Sequence, residues 1–189
     1  MLFDIAKLFY KVYFNSEKIS SIDFNGTNSA MQLDLNLPHD LGEQFDSIFN
    51  LGTAEHVFNV YQSFKSMHEW LKVGGRIYHC LPMHGEIDHG FYNFHPTFYW
   101  DLAYANKYKI ISVAKATMNS LAFVSDRDSL SKDIATQDMK KSYGMIVIFE
   151  KTIENSFAIP QQGRYDDNLA EQAKIKANWV EQRRIAEKS

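Results

Sequence analysis

The sequence predicts an α/β domain built on a doubly wound, mostly parallel sheet. Short β-prone runs alternate along the chain with stretches of helical periodicity. Within segment 45–56, FDSIFNLGTAEH, an apolar run ends at a turn and a helical pattern follows at once. The last two β-prone runs are separated by a polar stretch rather than a clear crossover helix, so they are expected to pair antiparallel at one edge. Because ligands bind beyond the carboxyl ends of strands in open α/β sheets, segment 45–56 is expected to form one wall of a site.

Composition narrows the class of protein. A chain of 189 residues fits one domain, and a net charge of −3 with a pI near 6.1 argues against nucleic acid as a partner. The lone Cys80 excludes an internal disulfide framework and fits a reducing compartment. The apolar N-terminus carries interspersed charges, unlike a signal peptide, and is too short to span a bilayer. These features predict a cytoplasmic protein with no membrane partner.

The elements follow from hydrophobic periodicity and turn chemistry. Thr53 is a candidate N-cap, and Gly74-Gly75 is a candidate helix end. Residues 1–164 are predicted to form the α/β domain, with 117–142 as an insertion or lid, and 165–189 a C-terminal helix. The predicted helices are 1–15, 53–71 and 97–106, and the predicted strands are 18–23, 30–35, 45–49, 76–81, 108–114 and 145–150.

The order of these segments resembles the class I S-adenosylmethionine-dependent methyltransferases. Two strands end in Asp23 and Asp34, FDSIFNLGTAEHV comes next, and LKVGGRI follows about twenty residues later. The resemblance covers roughly residues 1–115 and extends more loosely to 150. It implies a Rossmann-like fold, S-adenosyl-L-methionine as cofactor, and methyl transfer to a small-molecule acceptor.

One family feature is missing from this sequence. The glycine-rich loop that follows the first strand of these enzymes has no counterpart, and no GxG occurs in the chain. We therefore expect an N-terminally truncated version of the fold, with unpaired sheet edges that favour a homo-oligomer. The alternative function is a non-catalytic or partner-dependent remnant of the fold, which binds another protein through exposed aromatic surface.

The resemblance implies a cofactor site at the strand ends. Asp23 would accept hydrogen bonds from the ribose hydroxyls, and Phe24 would lie against the adenine. Asp34 would accept from the adenine amino group, while the amide of Leu35 would donate to a ring nitrogen. The backbone of the following turn would contact the amino-acid end of the cofactor, through Asn50, Leu51 and Gly52.

The acceptor is expected to bind between the start of the predicted helix 53–71 and the His-rich loop 83–95. His84 and His89 are candidate general bases, because histidine can take a proton near neutral pH. The remaining substrate-binding candidates are Glu55, His56, Tyr92, Asn93 and His95. The plainer alternative is a helix N-terminus that favours an acidic residue, beside a polar surface loop. The sequence predicts no metal site, since Glu55 and His56 alone are too few ligands and the loop histidines have no thiolate partner.

Overall fold

The computed structural model describes residues 2–16, 18–26, 30–127, 129–130 and 141–162. A 3₁₀ turn, Ala54–His56, separates the first strand from the second helix. The helices are α1 (Leu2–Phe14), α2 (Val60–Trp70) and α3 (Pro96–Asn106), and the strands are β1 (Phe45–Leu51), β2 (Leu71–His84), β3 (Tyr108–Thr117), β4 (Ser120–Phe123) and β5 (Tyr143–Lys151).

The five strands form one mixed sheet in the order β1-β2-β5-β3-β4. Only β1 and β2 pair in parallel, and the other three pairings are antiparallel. The prediction of a doubly wound, mostly parallel, Rossmann-like sheet is therefore wrong. β5 is inserted between β2 and β3, which run in the same direction but share no hydrogen bonds. The last two predicted strands do pair antiparallel, as β3 and β5, but β5 is internal, and β1 and β4 form the two edges of the sheet.

The parallel pair β1–β2 is joined by α2, which crosses over the sheet. Asn59 caps the start of α2 by accepting a hydrogen bond from the amide of Gln62. At the other end, the fully buried Lys151 donates from Nζ to the carbonyls of His68 and Leu71. A cation at the carboxyl end of a helix is favoured by the helix dipole. These contacts determine where β2 starts. They therefore also determine which residue of β2 lies opposite the carboxyl end of β1, where Leu51 pairs with Cys80.

The two faces of the sheet are covered unequally. One face packs under α2 and α3 and forms the core, with residues that include Ile77, Leu81, Met145, Val147, Phe149, Phe64, Tyr99 and Leu102. On the opposite face, Phe49 of β1 stacks on Tyr78 of β2, with ring centroids 4.7 Å apart. Tyr10 and Phe14 of α1 pack against this pair. Other described apolar side chains of α1, such as Ile5, Leu8 and Val12, are exposed to solvent.

Several predicted elements differ from the structure. Segments 18–23 and 30–35 are not strands, and they share one parallel bridge, Ile22 to Met31. The predicted helix 53–71 starts as the 3₁₀ turn, and α2 begins only at Val60 because Asn59 provides the cap. Of the predicted insertion 117–142, β4 extends the sheet beside β3, whereas 131–140 lie outside the described residues. The predicted C-terminal helix 165–189 also lies outside them.

Candidate functional site

The carboxyl end of β1 is held in place by the side chain of Asn50. Its Oδ1 accepts a hydrogen bond from the amide of Ala54, so its Nδ2 is the donor toward Nδ1 of His79, 3.0 Å away. His79 must then carry its proton on Nε2, since one imidazole nitrogen accepts and the other donates in the neutral ring. Complete burial lowers the pKa of His79 to about 3, so the ring is neutral. Asn50 therefore ties together β1, β2 and the 3₁₀ turn.

The loop after β2 closes onto that turn. The amides of Phe91 and Tyr92 both donate to the carbonyl oxygen of Glu55, at 2.7 and 3.3 Å. Gly90 makes this approach possible, because a Cβ at that position would lie 2.9 Å from the same oxygen. Asp88 adopts a positive φ of 63°, which reverses the chain just before His89. As a result, His89 is brought beside a residue 34 positions earlier in the chain.

Glu55, His56 and His89 form a compact cluster, called here the Glu-His-His cluster. Glu55 is only 1% exposed, and its Oε1 lies 3.9 Å from Nε2 of His56 and 3.6 Å from Nε2 of His89. These separations exceed hydrogen-bond length. The two imidazoles are each 46% exposed and meet edge to face, with centroids 4.8 Å apart. The cluster thus combines a buried carboxylate with two rings open to solvent.

Further polar groups lie buried behind the cluster. Glu55 Oε2, His79 Nε2 and the Tyr99 hydroxyl have no hydrogen-bond partner within the described part of the chain. Burial raises the pKa of Tyr99 well above its usual value, and the charges of Cys80 and Glu55 add to this shift. Burial and the charge of Glu55 likewise raise the pKa of the Cys80 thiol, which agrees with an unreactive cysteine.

A cavity of about 770 Å³ lies beside β1, and none of the three cluster residues is part of its lining. It lies between β1, α1 and segment 18–22, and it extends to Thr53 at the start of the 3₁₀ turn. Its volume is within the range of small-molecule and cofactor sites. Ser21 lines this cavity and keeps a buried hydroxyl without a partner among the described residues.

The structure places the seven predicted cofactor residues unevenly. Leu35, Asn50 and Leu51 line the cavity, whereas Phe24 is 67% exposed outside it. Gly52 has a positive φ of 67° and donates its amide to the carbonyl of Cys80, so it shapes the turn.

Asp23 and Asp34 are both engaged in local turns beside the cavity. Oδ1 of Asp23 accepts from the amide of Asn25, and Oδ1 of Asp34 accepts from the amide and side chain of Asn36. The two Asn36 hydrogen bonds lower the pKa of Asp34. Neither aspartate lines the cavity, whereas the adjacent Ile22 and Leu35 do, and Oδ2 of each aspartate is the oxygen left to offer a ligand.

Only some of the predicted catalytic and substrate-binding residues lie close together. Glu55, His56 and His89 come together, whereas His84 lies at the end of β2, with Tyr143 of β5 as its strand partner. The other three candidates support the loop. The Tyr92 hydroxyl donates to the carbonyl of Phe58, Asn93 Nδ2 donates to the carbonyl of Gly85, and His95 Nδ1 caps α3 by accepting from the amide of Thr97.

The sequence did not indicate that His89 lies beside Glu55, or that His79 and Tyr99 have buried polar groups. The available signal was Gly90, since a glycine directly after a histidine in a loop can mark a close backbone approach. Comparisons with protein-family models, curated proteins and solved structures give no match. Within the described segments, no helix has the length and apolar character that a bilayer crossing requires.

Proposed function

We propose that this protein binds S-adenosyl-L-methionine and transfers its methyl group to a small-molecule acceptor. The observation that carries the proposal is a cavity along β1 whose lining reaches the turn that bears the Glu-His-His cluster. The cavity lined by Leu35, Asn50 and Leu51 is large enough for an adenosyl cofactor, and it reaches Thr53, where the turn that carries the Glu-His-His cluster begins. A cofactor site and an acceptor site are needed side by side for group transfer.

The β1–α2–β2 unit also supports this function. It is the parallel crossover that contains both FDSIFNLGTAEHV and LKVGGRI, the segments that carry the family resemblance. Ligand sites in parallel α/β units lie outside the carboxyl ends of the strands. The cavity runs along β1 and includes Asn50, Leu51 and Thr53 at that end. The mixed sheet beyond β2 does not alter this local geometry.

The residues around the cavity suit the cofactor chemically. Oδ2 of Asp23 and of Asp34 can accept hydrogen bonds from ribose hydroxyls and from the adenine amino group, and such charge-assisted bonds are stronger than neutral ones. Leu35 and Leu51 provide apolar contacts, and the unpartnered Ser21 hydroxyl offers one more polar contact. The bound cofactor would supply an electrophilic methyl group.

The Glu-His-His cluster then acts on the acceptor. His89 takes the proton from the acceptor hydroxyl or amine, and Glu55 stabilises the imidazolium that forms, since its Oε1 lies 3.6 Å from Nε2 of His89. His56 presents a second half-exposed imidazole to the acceptor. Catalysis would come mainly from holding the acceptor atom in line with the methyl group.

Calorimetric titration with S-adenosylmethionine tests this proposal. Asp23→Asn and Asp34→Asn keep the oxygen that each turn requires, so the fold is retained, and they replace the second oxygen by an uncharged NH2 donor. Asp126→Asn is the matched control, because Asp126 Oδ1 also accepts a hydrogen bond from a nearby backbone amide, that of Ser129, and neither Asp126 nor its chain neighbours line the cavity. We expect binding by the wild type and the control, and at least 10-fold weaker binding by the other two variants. Absence of heat at millimolar cofactor contradicts the proposal.

A second candidate function is that of a partner-dependent binding module. On α1, a stripe of apolar side chains at helical spacing is turned to solvent: Ile5, Leu8, Phe9, Val12 and Tyr13. Exposed apolar patches of this kind mark interaction sites. Sedimentation distinguishes the two functions. The binding module is favoured if the protein binds no cofactor and forms a homo-oligomer or a partner complex that dissociates in the Leu8→Asp variant.

A further inference from the structure

The buried carboxylate of Glu55 lacks the partners that a buried charge requires. Its Oε2 has no hydrogen bond within the described residues, and its Oε1 meets two imidazoles only at 3.6 and 3.9 Å. A carboxylate removed from water is costly unless a cation and hydrogen bonds compensate for it. A cation that compensates for the Glu55 carboxylate could be bound by the two neighbouring histidines, His56 and His89.

The spacing of the three donor atoms is close to that of a metal site. Glu55 Oε1, His56 and His89 each offer one ligand atom, and all three atoms lie within 4.8 Å of one another. Two donors bound to one ion at about 2.1 Å lie about 3.0 to 3.4 Å apart for coordination angles between about 90° and 109°. The separations from Oε1 exceed this range by less than 1 Å. The half-exposed histidines can rotate inward, whereas Glu55 is fixed by packing.

We propose that the Glu-His-His cluster binds one divalent first-row transition-metal ion, with zinc as the representative. Two imidazoles and one carboxylate suit zinc, iron or manganese, whereas magnesium and calcium prefer oxygen ligands. The ligands come from the 3₁₀ turn and from the loop after β2, which Gly90, Phe91 and Tyr92 hold against the carbonyl of Glu55. The exposed side of the two rings leaves further coordination positions for water or a substrate oxygen.

This site does not depend on the proposed methyl transfer, and its test uses no cofactor. If both are present, His89 would be a metal ligand rather than the base, and the ion would activate the acceptor instead by binding its oxygen and lowering its pKa, as zinc does for bound water. Failure of zinc to bind leaves the cofactor titration unaffected, and failure of the cofactor to bind leaves the zinc titration unaffected. The two ideas can therefore be refuted separately.

The experiment titrates zinc into protein that has been dialysed against a chelator, with cobalt as a spectroscopic substitute. Glu55→Gln, His56→Gln and His89→Gln each remove one ligand. His95→Asn is the matched control, because it removes a histidine of the same loop region while asparagine retains the N-cap of α3. Circular dichroism checks the fold, and His56→Gln, a substitution at a half-exposed site, covers the case in which Glu55→Gln fails to fold.

We expect one zinc ion per chain, at least 100-fold weaker zinc binding in each ligand variant that folds, and unchanged binding in the control. Cobalt should give visible absorption bands that disappear in His89→Gln. The proposal is overturned if the wild type binds no zinc at millimolar concentration, or if His56→Gln and His89→Gln bind as tightly as the wild type. The proposal is also overturned if Cys80→Ser no longer binds zinc while His56→Gln and His89→Gln still do, because zinc would then be bound by the thiol.

Discussion

Gly90→Ala tests whether the loop after β2 is fixed to the 3₁₀ turn. The new Cβ would lie 2.9 Å from the carbonyl oxygen of Glu55 and 3.1 Å from its Cγ. Ordinary contacts of this kind need about 3.4 Å, so the loop must move by about 0.5 Å. The φ of Gly90 is not in the left-handed region, so the strain is steric rather than conformational. The shift also weakens the hydrogen bonds that Phe91 and Tyr92 donate to Glu55.

Overpacking of this type costs about 1 to 3 kcal/mol, and for a chain of this length a loss of about 2 kcal/mol lowers Tm by roughly 4 to 8 °C. Because His89 precedes Gly90, we also expect zinc affinity to fall at least 10-fold. Urea unfolding and zinc titration measure the two effects. Ile87→Ala is the control, since Ile87 belongs to the same loop and is 95% exposed. Equal stability and equal zinc affinity in Gly90→Ala and wild type would refute the proposed fixation of the loop.

Three further predictions concern the support of the site and the core. Below pH 6.5 His79 becomes protonated in the unfolded chain, whereas in the folded protein it is protonated only near its pKa of about 3. The contribution of His79 to the free energy of unfolding is therefore fully present above pH 6.5, and at pH 5 this residue alone should lower that free energy by about 2 kcal/mol. Urea unfolding at pH 7.5 and 5.0 should show a smaller difference in His79→Gln, and an equal one contradicts the assignment. Asn50→Leu leaves the Ala54 amide and His79 Nδ1 without their partner, so a loss of about 2 to 4 kcal/mol is expected, against no change if these bonds are absent. Met145→Ala, at a fully buried position, should cost about 2 to 5 kcal/mol by chemical denaturation, and a cost below 1 kcal/mol would contradict its place in the core.

The local elements could be predicted from the sequence, but the sheet order could not. Helical periodicity after a β-prone run correctly indicated the β1–α2–β2 unit, because this pattern depends on near neighbours. The insertion of β5 between β2 and β3 depends on pairing between distant segments, such as Cys80 with Ile146. Periodicity carries no information about such pairing, which is why the parallel sheet was wrong.

The candidate site was predictable only in part. The chemistry of their side chains made Glu55, His56 and His89 candidates in the sequence. Their proximity, however, depends on the backbone path between β2 and α3. That path is determined by the hydrogen bonds to the carbonyl of Glu55, which no side-chain pattern encodes. Likewise, the acids at 23 and 34 were expected at strand ends, but short turns with Asn25 and Asn36 satisfy their Oδ1 atoms. Turn chemistry outweighed strand propensity there.

We have proposed that an adenosyl cofactor binds in the cavity beside β1. Backbone amide NMR spectra recorded during titration with S-adenosylmethionine test it most directly, because they report where a ligand binds as well as whether it binds. We expect shifts concentrated at Ile22, Leu35 and Leu51, with the β3–β4 hairpin unchanged. Shifts confined to that hairpin, or no shifts at millimolar cofactor, would contradict it.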